Sequence, residues 1–254
     1  MTSFVTAIKL MPGYEDYAQR LRMYIECIAT HYPNKEYEII VVEDQSWSNV
    51  ALVRDYITEE WMRDRNARLI EYHATYPNPH GYNMIEAFAK NVGLHATKFP
   101  YVCITNCDLL FNDAFFDLCA NRLEPNTFYR FLAYETPPVA SWHLQAIERT
   151  LPHATCINPK LADSNQWTLN LIAYKSGDAM LMDRESWLKI KGFPENEIWV
   201  HSDLIVCTVV NNNHIQLKVD PNARVYTYPQ RRTLVAKAFE LEKSYEYLKR
   251  LVCN

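Results

Sequence analysis

Residues 38–46 read EIIVVEDQS, a short apolar run that ends in two acids, and this stretch decides the fold. Its β-branched residues and its length predict a buried strand. Similar apolar runs occupy residues 4–10, 68–72 and 101–105, and stretches of helix length separate them. Strands that alternate with helices in this way predict an α/β fold with right-handed βαβ units, in which helices flank a mainly parallel central sheet.

The segments between and after these strands complete the predicted order of elements. Apolar residues at helical spacing predict helices at 15–32, 50–63 and 82–97. In the less regular second half we predict strands at 126–134, 179–182, 216–219 and 224–228, and helices at 184–190, 202–211 and 233–251. Residues 142–159 are predicted as a helix with a loop rich in Pro and His. Gly192 is placed to end the helix at 184–190. No repeat or low-complexity linker interrupts the chain, so one domain over residues 1–254 is the simplest prediction.

Composition narrows the class of protein. With 254 residues, 48% hydrophobic and 22% charged, the chain can bury a substantial core. Its formal net charge of -4 argues against nucleic acid as the main partner. No apolar run is long enough to span a bilayer, and the N-terminus lacks a signal-peptide pattern. Seven cysteines without a CxxC pair fit reduced thiols, so we expect a cytoplasmic protein.

Polar residues follow two of the predicted strands, where α/β sheets bind their ligands. The first strand end carries Glu43 and Asp44, which could accept hydrogen bonds from a nucleobase or a ribose. The second carries Asn106 and Asp108, and a carboxylate there could hold a divalent cation against a diphosphate. Each set has a plainer alternative, because Asn, Asp and Ser also cap helices and start turns.

A third candidate site lies between residues 176 and 203. It begins at Asp178, just before the strand predicted at 179–182, and ends at Asp203, at the start of the helix predicted at 202–211. A carboxylate at a helix start could take a proton from an acceptor hydroxyl. Trp199 could stack on a sugar face, and His201 could orient the acceptor or Asp203. Again the alternative is structural, because Ser and Asp are favoured at the start of a helix and most Trp side chains are core residues.

The order of these motifs resembles the GT-A glycosyltransferases, especially those close to family 2, over residues 3 to 229. The resemblance rests on EIIVVEDQS at 38–46, KNVG at 90–93, TNCD at 105–108, AMLM at 179–182 and GFPE at 192–195. It implies a GT-A fold with a nucleotide-binding half at 1–110, an acceptor and catalytic half at 111–230 and a C-terminal helix at 231–254. In finer detail the chain resembles a subgroup in which the strand that leads to the metal-binding motif ends in Thr-Asn-x-Asp.

The resemblance also implies roles for individual residues. Asp44 would contact the base, Lys90 and Asn91 would lie near the donor, Asp108 would bind Mn²⁺ or Mg²⁺, and Asp203 would be the general base of an inverting transfer. The donor would be a UDP- or GDP-sugar, and the acceptor a glycan, a lipid-linked molecule or a protein. A lipid-linked acceptor would place the protein at a membrane surface. Because Asn106 replaces an acid of the family's DxD motif, metal affinity should fall.

Other functions remain open on the sequence alone. Nucleotidyl transfer uses a related architecture, but it would require a Gly-rich loop after the first strand, where only Gly13 is present. A non-catalytic domain that binds nucleotide sugars would keep the fold and lose the DxD motif. A retaining transferase is the third alternative, and the anomer of the product would distinguish it.

Overall fold

The computed structural model describes residues 1–10, 16–45, 51–73, 86–138, 143–157, 179–194 and 202–229. Within them the strands are β1 (Thr2–Ile8), β2 (Tyr37–Asp44), β3 (Ala67–Tyr72), β4 (Tyr101–Asn106), β5 (Leu109–Phe111), β6 (Thr127–Glu135), β7 (Thr155–Cys156), β8 (Ala179–Asp183) and β9 (Gln216–Thr227). The α-helices of the same residues are α1 (Asp16–His31), α2 (Glu59–Arg63), α3 (Glu86–His95), α4 (Asp113–Asp117), α5 (Leu144–Glu148), α6 (Arg184–Lys189) and α7 (Ser202–Asn212).

These strands form one mixed sheet in the order β3-β2-β1-β4-β8-β6-β9-β5, with β7 beside β6. β1 pairs in parallel with β2 and β4, and β2 pairs in parallel with β3, as the βαβ prediction requires. Beyond β4, β8 runs antiparallel to both β4 and β6, whereas β6 and β9 are parallel. The α/β fold class is therefore confirmed, and the predicted parallel sheet corresponds to the four neighbouring strands β3, β2, β1 and β4.

Helices cover both faces of this sheet. Every residue of β2 is buried, which is the pattern of a strand covered on two sides. On one face α1 packs against the sheet through residues such as Leu21 and Ile28. On the other face α3 approaches so closely that a Cβ on Gly93 would lie 2.4 Å from Val5 Cγ1. The apolar runs of the parallel strands thus supply two cores, one on each face.

The predicted helix at 50–63 differs from the structure. A 3₁₀ turn at Val53–Asp55 comes first, and α2 begins only after Thr58, whose Oγ1 accepts a hydrogen bond from the Trp61 backbone N–H at 3.2 Å. This N-cap sets the start of α2, because it satisfies a donor that the helix itself leaves unpaired.

The segment predicted at 142–159 as a helix with a loop contains only a short helix. α5 spans only Leu144–Glu148, and a 3₁₀ turn at Leu151–His153 and the short strand β7 follow it. Pro152 explains the break, because proline lacks the N–H that a continuing helix needs. The two strands predicted at 216–219 and 224–228 are one strand, β9, whose pairing with β6 shifts register midway.

Several predictions fall outside the described residues, among them the helix at 233–251, residue 15 of the helix at 15–32 and residues 82–85 of the helix at 82–97. In the part of the chain that is described, no helix is long and apolar enough to cross a membrane.

Candidate active site

The carboxyl ends of β1, β2 and β4 lie side by side at one edge of the sheet. Strand pairing aligns Ile8 with Glu43 and Ala7 with Asn106. The first turns of α1 and α3 reach the same edge, because each helix follows a parallel strand that ends there. Both strand-end motifs predicted from the sequence are therefore neighbours in space.

Asp108 is buried just beyond the end of β4 and faces a cation from α1. The Nη1 atom of Arg20 lies 3.4 Å from Asp108 Oδ2. Burial raises the pKa of the Asp108 carboxyl above its ordinary value, and the charge and hydrogen bond of Arg20 oppose that shift. The structure thus gives Asp108 a protein cation as its counter-charge.

Arg20 is held in place on several sides. Its Nε and Nη2 atoms lie 3.0 Å and 2.9 Å from Asp16 Oδ2, one turn earlier on α1. The guanidinium also lies over two aromatic rings, with its Cζ 5.0 Å from the centroid of Tyr17 and 5.3 Å from that of Tyr228. Burial raises the pKa of both phenols, and the nearby Asp108 charge contributes to this shift. Both tyrosines are therefore neutral at physiological pH, and they enclose the Arg20–Asp108 pair with aromatic surface.

Asn106 faces the opposite helix, α3. The Nζ atom of Lys90 donates a hydrogen bond to Asn106 Oδ1 at 3.1 Å and lies 2.6 Å from Glu86 Oε1. Lys90 is buried. Asn106 and Asp108 are therefore each contacted by a cation, and the two cations come from helices on opposite faces of the sheet.

Glu43 has two hydrogen-bond partners in the chain just after β2. Its Oε1 atom accepts a hydrogen bond from the Val53 backbone N–H at 2.6 Å, and its Oε2 atom accepts one from Gln45 Nε2 at 3.0 Å. Burial raises the pKa of this carboxyl, and both hydrogen bonds oppose the shift. Glu43 thus fixes the chain after β2, close to the capping alternative considered from the sequence.

Asp44 stays at the sheet edge as predicted. It is fully buried at the carboxyl end of β2. Burial lowers the pKa of the neighbouring Lys9, and the Asp44 charge opposes that change. A buried carboxylate beside a buried lysine, at the edge where α/β sheets bind ligands, keeps Asp44 a candidate for the nucleotide side of the site.

Asn91 binds the turn after α6 through both polar atoms of its side-chain amide. Its Nδ2 atom donates to the Phe193 carbonyl at 2.9 Å, and its Oδ1 atom accepts from the Phe193 N–H at 2.8 Å. This pair of bonds clamps α3 to the turn after α6. The turn depends on Gly192, whose φ is +69° and whose Cβ, if present, would lie 2.3 Å from Asn91 Oδ1.

We therefore expect Gly192→Ala to lower the free energy of unfolding by about 2 kcal/mol, since it adds left-handed strain and a clash with Asn91. Urea denaturation measures this loss. Lys191→Ala is the matched control, because Lys191 is exposed and already has a φ of 63°. Equal stability of the two variants would contradict the clamp.

The remaining predicted site residues are only partly visible. Asp178, Trp199 and His201 lie outside the described residues. Asp203 is the second residue of α7, and its side chain is likewise not described. Their predicted roles stay predictions.

The described part of the site does not fit a divalent cation. Such an ion needs several oxygen ligands, and among the described residues no group of three His, Cys, Asp or Glu side chains could hold one. The two oxygens predicted from the β4 motif, Asp108 Oδ2 and Asn106 Oδ1, each face a positively charged side chain. A cation at either oxygen would be repelled by the guanidinium or the ammonium group.

Sequence reasoning missed Arg20, Glu86 and the two tyrosines that enclose Arg20. One signal was available: Asp16 and Arg20, and likewise Glu86 and Lys90, are acid–base pairs four residues apart near the start of a helix that follows a strand. Such pairs are common on exposed helix faces, so the spacing alone does not point to a site.

The fold is that of the GT-A glycosyltransferases. The structure is similar to that of S. aureus TarS 1–349 in complex with UDP-GlcNAc, with a TM-score of 0.68 and 13% identity over 100% of this chain and 66% of that chain. A second S. aureus TarS structure matches with a TM-score of 0.63 and 13% identity, over 100% of this chain and 40% of that one.

A third similar structure is GalNAc-T7 with UDP, GalNAc and Mn²⁺, with a TM-score of 0.61 and 12% identity over 98% of this chain and 48% of that chain. The chain thus spans 40% to 66% of the length of these three structures. No protein-family model and no curated protein matches the sequence. At this level of identity the similarity establishes the fold, and activity has to be argued from the site.

Proposed function

We propose that this chain is a glycosyltransferase that moves a sugar from a nucleotide-diphosphate donor to an acceptor hydroxyl. The observation that carries the proposal is the pair of polar side chains at the end of β4, Asn106 and Asp108, set in a GT-A fold between two cations of the flanking helices. This is the edge where parallel α/β sheets bind ligands. Arg20 and Lys90 give it the positive groups that a diphosphate requires.

A UDP-sugar is the first donor to test. The TarS structure holds UDP-GlcNAc and the GalNAc-T7 structure holds UDP, so uracil is the base present in both. We propose Asp44 for the nucleobase or ribose, because it is buried at the end of β2, and Asp178 as a further donor contact. GDP-sugars are the alternative donors.

In the proposed reaction Asp203 acts as general base. It would take the proton of the acceptor hydroxyl while the hydroxyl oxygen attacks the anomeric carbon, and the nucleoside diphosphate would leave with the bonding electrons. Trp199 and His201 are proposed to bind and orient the acceptor, which could be a glycan, a lipid-linked molecule or a protein. This displacement inverts the anomeric centre, and NMR of the product would reveal a retaining reaction instead.

The test is a panel of UDP- and GDP-sugars offered to the purified chain, with binding followed by calorimetry and turnover by release of the nucleoside diphosphate. We expect binding of at least one UDP-sugar and slow hydrolysis of it without an acceptor. Binding without any turnover, even with acceptor mixtures, would favour the non-catalytic alternative. No binding of any donor would contradict both.

A further inference from the structure

Two ion-pair clusters of the same design meet at the end of β4. In each, a cation on a helix bridges a polar side chain after the strand to an acid one turn earlier on the same helix. Arg20 joins Asp108 to Asp16 on α1, and Lys90 joins Asn106 to Glu86 on α3.

The cations of these clusters are more deeply buried than the helix acids. The side chains of Arg20 and Lys90 are 11% and 5% exposed, whereas those of Asp16 and Glu86 are 39% and 42% exposed. An exposed carboxylate contributes little to an ion pair, because water and salt screen it. A phosphate oxygen could therefore take the place of either acid next to its cation without a large penalty.

The two clusters also lie close to each other. Arg20 contacts Asp108, and Lys90 contacts Asn106, which lies only two positions earlier in the chain. A diphosphate has two charged groups, and two neighbouring cations match it.

We infer that Arg20 and Lys90 bind the diphosphate of the donor in place of a divalent cation. Resting on the proposed function, the inference follows from the poor fit of the β4 motif to a metal and from the two cations that its oxygens already face. Asp108 then serves as a positioning residue that holds Arg20, and Asn106 does the same for Lys90. Guanidinium and ammonium groups are both good partners for phosphate.

Calorimetry with UDP as the probe tests this. We expect the full chain to bind UDP with the same Kd, within about twofold, in EDTA and in excess Mn²⁺, because the phosphate charge is met by protein groups. Lys90→Met should weaken UDP binding in EDTA by about tenfold or more, since a charge-assisted contact is lost. Lys98→Met is the matched control: Lys98 is exposed just beyond α3, and its Kd for UDP should not change.

A double variant covers the other cation. Arg20→Gln combined with Asp108→Asn removes both charges of the buried pair at once, so the fold is not left with an unpaired carboxylate. We expect it, too, to bind UDP about tenfold or more weakly in EDTA. Circular dichroism and the urea midpoint establish that each variant is folded.

The outcomes separate this inference from the proposed function. UDP binding that needs Mn²⁺ in the unaltered protein would overturn the inference and leave the transferase proposal standing. So would unchanged UDP affinity in folded Lys90→Met and in the folded double variant. Absence of binding of UDP, GDP and their sugars in both buffers would instead contradict the transferase proposal itself.

Discussion

Asp203→Asn is expected to lower the rate of sugar transfer by about 100- to 10,000-fold, because it removes the general base. The affinity for UDP should not change, because the side chain keeps its size. The expectation follows from the proposed reaction, in which the acceptor hydroxyl needs a base at the moment of attack. Initial rates at saturating donor and acceptor measure the effect, and calorimetry with UDP measures the affinity.

Asp64→Asn is the control for this variant, because it makes the same chemical change at an exposed position just after α2. Its transfer rate should match that of the unaltered protein. A pH profile adds a second readout: the limb that reports the ionisation of the base should disappear in Asp203→Asn. If Asp203→Asn keeps full activity, Asp203 is not the base, and another carboxylate such as Asp178 has to be tested in the same way.

The parallel half of the fold could be predicted from the sequence for a physical reason. Its strands are covered on both faces, so each appears in the sequence as a continuous apolar run. The helices between them are long enough to show apolar residues at helical spacing. β5 and β7, with three and two residues, are too short for any period. α5 could not be delimited from apolar spacing alone, because Pro152 and the pairing of β7 end the helix early.

The site was predictable only as far as it follows directly from strand ends. Asn106 and Asp108 come straight after an apolar run, so the sequence predicts their place at the sheet edge. Arg20 is 88 positions from Asp108, and nothing in α1 distinguishes it from other helix cations. The contact of Asn91 with Phe193 was not predicted for the same reason, since Phe193, to which it bonds twice, is 102 positions away.

The second large effect expected is on stability. Arg20→Met should lower the free energy of unfolding by about 3 kcal/mol near neutral pH, because it leaves the Asp108 carboxylate buried without its guanidinium partner. Chemical denaturation followed by fluorescence measures the loss. Arg22→Met removes the same charge from the exposed face of the same helix, and its effect should stay within about 0.5 kcal/mol.

The effect of Arg20→Met should depend on pH in a defined direction. Burial already raises the pKa of Asp108 in the folded protein, and loss of Arg20 raises it further. Above that pKa the carboxyl is ionised in both states, and the folded state carries the whole burial penalty. Below the unfolded value of about 3.9 it is protonated in both states, and the penalty disappears. The destabilisation should therefore shrink as the pH falls, whereas a pure packing defect would not change with pH.

A double-mutant cycle decides whether the loss belongs to the pair. Asp108→Asn removes the buried charge, so adding it to Arg20→Met should restore much of the stability, and the two single effects should not add. Strict additivity would mean that the guanidinium and the carboxylate do not interact. The inference that protein cations replace a metal ion at the end of β4 would then lose its structural basis. Recovery in the double variant would instead show that Asp108 requires a positive partner in the folded state, and that α1 provides it.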